Sequence, residues 1–437
     1  MVRSQAKVKE AGGGGDVVGG DLVLRRGRVY SLDGPVPRRG DDLLSLEAVE
    51  AGSVAIVQGR IAFVGPDADL PPELRRLPAL DLGGRAVLPG LVDCHTHVPF
   101  AAWRADEYAE RLGGATYADQ QRPTSGPRGI ARSAAQLAWA DDAAVLAFSR
   151  RRLEECLASG STTVELKCGY GGDQAGERRS LRIMDALARA VPQATARTGL
   201  FLHARPADGD RGRWLGEVLE ELLPAAVAGG LVDGVDAFVE DVAYSLEEGA
   251  ALVRAGQAAR LATHLHAEQL AASGAAAWAA EHGVTSVDHL DHLDAAGVRA
   301  LGRSATIAVL LPGATILAGR GGHPPVHDLL RAGAALAVAS DLNPGTSPVA
   351  SLPEAVALAC RLWGLPVSAA VAAVTVNAAA ALGMAGEVGA LRPGARGDLI
   401  VLDGDEPALI AYRLGHAAIA AVVAAGRLVV GALDVRP

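Results

Sequence analysis

The chain has 437 residues, half of them hydrophobic, few of them aromatic, and a formal net charge of −9. That length supports a large core and more than one domain, and the aliphatic composition suits an α/β enzyme. No basic block or aromatic–basic interleaving offers nucleic acid a footprint, and no long uninterrupted apolar span has membrane-helix character. Four cysteines (Cys94, Cys156, Cys168, Cys360) form neither a disulfide framework nor a Cys-x-x-Cys pair, which points to a reducing cytoplasm.

Residues 1–20 are glycine-rich, lack the apolar core of a signal peptide, and are expected to be a disordered leader. Residues 21–85 read as short strands and turns, with Asp21-Leu-Val-Leu-Arg, Ser53-Val-Ala-Ile-Val and a hairpin at Gln58-Gly. Residues 385–437 have the same texture, so both chain ends are predicted to build one small β-sandwich domain. Between them, residues 86–384 alternate helical stretches with eight apolar strands. The strands are Val87–Asp93, Thr162–Leu166, Leu200–His203, Val235–Val239, Leu261–His266, Thr285–His289, Thr306–Leu311 and Ala335–Asp341. Ser245-Leu-Glu-Glu and Ser351-Leu-Pro-Glu are capping boxes, and Asp294 is an N-cap candidate. Eight β/α units over about 300 residues fit a (β/α)8 TIM barrel. An open doubly wound sheet is the alternative, weakened because no Gly-x-Gly-x-x-Gly turn follows a first strand.

Barrel enzymes carry their chemistry at the carboxyl ends of strands. Six of the eleven histidines fall there: His95, His97, His203, His264, His266 and His289. His95 and His97, one residue apart on an extended segment, project to the same side. The most economical metal set is His95, His97, His266 and Asp341, suited to one divalent zinc or iron ion per subunit. His264 shares its side of the strand with His266 and competes with it; His266 lies nearer the strand end. His282, His292, His323, His327 and His416 fall in helices or loops and read as ordinary polar residues.

Pro89-Gly-Leu-Val-Asp-Cys-His-Thr-His resembles the opening motif of the metal-dependent amidohydrolase superfamily. Asn377-Ala-Ala-Ala-Ala-Leu-Gly with Gly389-Ala-Leu-Arg-Pro-Gly-Ala-Arg-Gly-Asp-Leu resembles its closing signature. Within it, Arg104-Ala-Asp-Glu-Tyr, Gly160-Ser-Thr-Thr-Val-Glu-Leu-Lys-Cys-Gly-Tyr-Gly, His266-Ala-Glu-Gln-Leu and Asp341-Leu-Asn-Pro-Gly-Thr-Ser-Pro are similar to the imidazolonepropionase family.

That resemblance implies hydrolysis of 4-imidazolone-5-propanoate, a small-molecule substrate, to N-formimino-L-glutamate, and a homodimer. It also implies proton transfer or oxyanion stabilisation by His289, and a proton passed to the leaving nitrogen by Asp341. Arg104 suits the propionate carboxylate, because a guanidinium can grip it with two parallel hydrogen bonds. Tyr170, His203, Asn343, Gly345 and Thr346 resemble the family's substrate-contacting positions. Nucleobase deaminases on the same scaffold carry Glu three residues after the strand-five His; Gln269 stands there and cannot shuttle a proton, though it can orient substrate. Phe238-Val-Glu-Asp lacks the strand-four Lys of dinuclear relatives, which implies a single metal. The chain departs from the family at the 120–130 loop, at Cys168, after Pro206 and at His264. A deaminase, or a hydrolase of a related imidazolone or lactam, is therefore the alternative.

Overall fold

The computed structural model describes residues 21–121, 126–206, 208–319 and 322–431. The expected leader, residues 1–20, and part of the 120–130 loop lie outside the described residues. The described chain enters through β1 (Leu22–Val29), β2 (Val49–Val57), β3 (Arg60–Pro66), β4 (Ala79–Asp81) and β5 (Ala86–Pro89). The β2–β3 hairpin turns on Gln58-Gly59, with φ of 50° and 74°. Two successive positive φ values match the right-handed twist of the flanking strands.

The barrel follows: β6 (Leu91–Asp93), β7 (Ser161–Lys167), β8 (Ala194–Leu202), β9 (Gly234–Val239), β10 (Ala262–Ala267), β11 (Ser286–His289), β12 (Ile307–Leu310) and β13 (Ala335–Val338). These eight strands pair in sequence order, every pair parallel. The ring closes just beyond the strand ends, where Thr96 bridges Leu342 in parallel. There Asp341 N donates to His95 O and His97 N to Leu342 O, each at 2.9 Å. Below them the Asp93 carboxylate accepts from Ser340 N at 3.0 Å and Ser340 Oγ at 2.6 Å. Helices connect the strands, and their starts are fixed by side-chain caps. Ser245 and Glu248 complete a reciprocal capping box, Asp294 accepts from Gly297 N, and Ser351 accepts from Glu354 N.

The chain ends in β14 (Leu399–Leu402), β15 (Ile419–Ala424) and β16 (Arg427–Gly431). Both ends join one sheet in the order β16-β15-β14-β5-β1-β2-β3, with β4 also alongside β1. Leu22, Leu24, Ile56, Leu82, Val87, Leu399 and Val423 form a buried apolar cluster of its own between its strands.

One expected strand is divided. Val87–Asp93 reads as a single barrel strand, yet Ala86–Pro89 pairs with β1 and β14 in the terminal sheet. Only Leu91–Asp93 pairs in the barrel. Gly90 makes the transfer, packed so closely that a Cβ would lie 2.1 Å from Thr162 Oγ1. His95 and His97 consequently follow the first barrel strand rather than end it. The backbone bonds at the barrel closure hold them there.

Candidate metal centre and active site

His95, His97 and His266 are buried, and their ligand atoms lie within 4.8 Å of one another. His266 Nε2 is 3.3 Å from His97 Nε2. The Asp341 Oδ1 oxygen is 3.2 Å from His97 Nε2 and 3.5 Å from His95 Nε2. Carboxylates stand behind two of the rings. Asp288 Oδ2 is 2.6 Å from His95 Nδ1, and the Asp236 oxygens are 3.1 and 3.2 Å from His266 Nδ1. A ring that donates its Nδ1–H to a carboxylate turns a lone pair outward at Nε2. Lone pairs of imidazoles and a carboxylate oxygen therefore face one another, and His95 Nε2 and Asp341 Oδ1 have no hydrogen-bond partner. Such a set of acceptors fits a divalent cation.

Burial favours the neutral imidazoles that ligation requires and opposes the carboxylate form of Asp341. It holds His95 and His289 well below the ordinary imidazole range and His97 at about 3, with the Lys167 ammonium pushing His95 and His97 the same way. Neutral imidazole is the ligating form. Burial pushes the Asp341 carboxyl up to about 7, against the opposing pull of His266.

The backbone around the centre is strained. His289, Leu290, Glu268 and Asp341 adopt φ of 81°, 67°, 54° and 52°. Non-glycine residues take such values where surrounding structure enforces them, often at functional sites. His289 Nδ1 is buried without a partner, with its ring 5.3 Å from that of His266.

Above the cluster is a narrow cavity lined by His97, Arg104, Tyr170, His203, Gln269, His289, Asp341, Asn343 and Thr346, with Ile130, Phe238 and His266. Tyr170 and His203 form an aromatic wall beside His97, their ring centroids 5.1 Å apart. Arg104 is held at Nη1 by Glu107 Oε2 at 3.1 Å, while its Nε has no partner. Asn343 is engaged in its own loop: its Oδ1 accepts from Gly345 N and Thr346 N, and its Nδ2 donates to Asp341 O. Gly345 does not line the cavity. It lies under Arg104, where a Cβ would sit 1.8 Å from Nη2, and its carbonyl accepts from Arg111 at 2.6 Å. Of the two competing histidines, His266 joins the cluster. His264 turns to Ser286 Oγ at 2.9 Å.

Pattern reading places Glu165, Lys167 and Asp288 at strand ends but gives them no role, and it does not single out Asp236. Lys167, 1% exposed, lies 2.5 Å from Asp236 Oδ2, 3.2 Å from Glu165 Oε2 and 3.9 Å from Asp288 Oδ2. Burial alone would lower its pKa, but Asp236, Glu165 and Asp288 reverse that and hold the ammonium above its ordinary range. The available signal was charged residues within otherwise apolar strands, such as Asp236 in Gly-Val-Asp-Ala-Phe-Val.

The amidohydrolase family profile matches residues 86–429. The imidazolonepropionase of Acidiphilium cryptum (strain JF-5) is 42% identical over 360 residues, 82% of this chain and 89% of its own. That of Aromatoleum aromaticum (strain DSM 19018 / LMG 30748 / EbN1) is 42% identical over 412 residues, 93% of this chain and 97% of its own. The chain belongs to the amidohydrolase family, in its imidazolonepropionase branch. Like other amidohydrolases it is a metal-dependent hydrolase, and the buried His95, His97 and His266 form a group that could hold a metal ion. E. coli guanine deaminase shares the amidohydrolase fold, with a TM-score of 0.67 and 16% identity over 94% of this chain and 99% of its own. Among the described residues no helix is long and apolar enough to cross a membrane.

Proposed function

We propose that this amidohydrolase opens the ring of 4-imidazolone-5-propanoate, adding water across a ring C–N bond to give N-formimino-L-glutamate. One observation carries the reading: ring nitrogens of His95, His97 and His266 and an oxygen of Asp341 converge beneath a cavity that also presents Arg104, those of His95 and Asp341 without a hydrogen-bond partner. Those four residues would hold one zinc or iron ion per chain. Such an ion supplies Lewis acidity, acidifying water and polarising the attacked carbonyl.

The chain's own groups do the rest. Arg104 grips the propionate carboxylate and fixes the ring over the histidines. Tyr170 and His203 flank the ring, while Gln269 and Thr346 orient its polar edge. His289, neutral and with Nδ1 unpartnered, accepts a proton from the attacking water or donates a hydrogen bond to the developing oxyanion. Asp341 relays a proton to the departing ring nitrogen. The reading also includes a homodimer located in the cytoplasm.

The test is loss of imidazolone absorbance when purified protein is added to enzymatically generated substrate, with His266→Ala as control. Decay at the uncatalysed rate with both proteins, or ammonia release from an aminated purine or pyrimidine, would overturn this assignment.

A further inference from the structure

Three carboxylates and one ammonium are buried together behind the ligating imidazoles. Lys167 ends β7, Asp236 lies in β9 and Asp288 in β11, alternate strands whose inward side chains share a layer of the barrel. Among the described residues, Lys167 Nζ is the one lysine or arginine nitrogen within 4.0 Å of Glu165, Asp236 or Asp288. Asp236 spans the 2.5 Å contact with Lys167 and the contacts of 3.1 and 3.2 Å with His266 Nδ1. Asp288 Oδ2 contacts His95 Nδ1 at 2.6 Å and lies 3.9 Å from the same ammonium. Lys167 Nζ is itself 3.4 Å from His95 Nδ1. Two ligands delivered by distant parts of the chain therefore have their supports tied to a single nitrogen.

We propose that Lys167 is the positioning residue that couples the His95–Asp288 and His266–Asp236 pairs, and so sets how tightly this chain holds its metal ion. The inference rests on His95 and His266 being ligands, as in the proposed function. A buried carboxylate with no counter-charge swings towards any other available donor, and in doing so releases the ring N–H that aims Nε2 at the ion. The ammonium removes that freedom from Asp236 and Asp288 together. Ser286 Oγ, donating to Asp288 Oδ1 at 2.8 Å, fixes the carboxylate's other oxygen.

The experiment is a zinc dissociation constant from competition with a chromophoric chelator, measured on full-length protein stripped of metal and reloaded. Lys167→Met, Asp236→Asn and Asp288→Asn are compared singly and in pairs, with the thermal midpoint of each apo-protein recorded alongside. Each single substitution is expected to weaken zinc binding by roughly ten- to a hundred-fold. Asp236→Asn with Asp288→Asn is expected to weaken it by less than the product of the two, because both act through one ammonium. Lys167→Met with native zinc affinity overturns the proposal. Should that variant fail to fold, the aspartate pair decides alone, and strictly multiplicative losses overturn the coupling. Wild-type protein that binds no zinc removes the ligand assignment as well, an outcome distinct from intact binding that ignores Lys167.

Discussion

The terminal sheet and the barrel mouth bury residues equally well, but with opposite treatment of polar groups. In the sheet, aliphatic side chains fill the interior, and charges meet nearer the surface, as where Arg25 donates twice at 2.8 Å to Asp67. At the mouth, imidazoles, carboxylates and an ammonium are fully enclosed, and several of their atoms lack partners. An unpartnered buried polar group costs about 1–3 kcal/mol. A fold that concentrates such groups at one point is arranged around a ligand. The sheet supports; the mouth binds and reacts.

Substitutions can break this contrast. His289→Asn is expected to lower kcat by about 10²–10⁴-fold with little change in thermal midpoint, since its Nδ1 supports no other group. Steady-state kinetics beside thermal unfolding checks both halves.

Gly345→Ala should act through Arg104, whose Nη2 the new methyl would displace. A rise in KM for substrate of about tenfold, with a smaller change in kcat, is expected from one weakened charged hydrogen bond. Arg104→Lys should reproduce it, because an ammonium cannot grip a carboxylate bidentately.

The smallest effects concern pH, and their signs differ between the two regions. Bonding to Arg25, with help from Ser53 and against burial, holds Asp67 at about 2. Its stabilisation is present above the unfolded value of about 4 and is lost as pH falls towards 2, so Asp67→Asn should flatten the acid limb by about 1 kcal/mol or less. Against the loop that follows β7, burial raises Glu177 to about 7 despite backbone donation from Gly171 and Gly169. The folded state then keeps a proton that the unfolded chain loses, so stability falls as pH rises from about 4 to 7. Glu177→Gln should remove that slope. Chemical denaturation across pH measures both variants.

Most of the architecture was legible because apolar strand, polar end and helix cap recur in register with the barrel's period. Ser245, Asp294 and the Gln58-Gly59 turn carry their geometry in local chemistry, which a sequence displays directly. The histidines were legible for a related reason: imidazoles gathered at strand ends have few structural uses. The transfer at Gly90 was not, since an apolar run reads alike in either sheet, and only packing against Thr162 and Asp398 separates them. Nor was the charged layer around Lys167, because Glu165, Asp236 and Asp288 meet through strand order and stagger. The same holds for Asn343 and Gly345, whose loop-building bonds depend on a turn that the motif does not spell out.

The central claim is that His95, His97, His266 and Asp341 together hold one ion at the barrel mouth. Elemental analysis of purified protein by mass spectrometry, comparing wild type with folded Asp341→Ala, tests it most directly. About one zinc or iron per chain in the wild type, largely lost in the variant, is the predicted result. Wild-type protein without stoichiometric transition metal, or a variant that keeps its full complement, would contradict the claim.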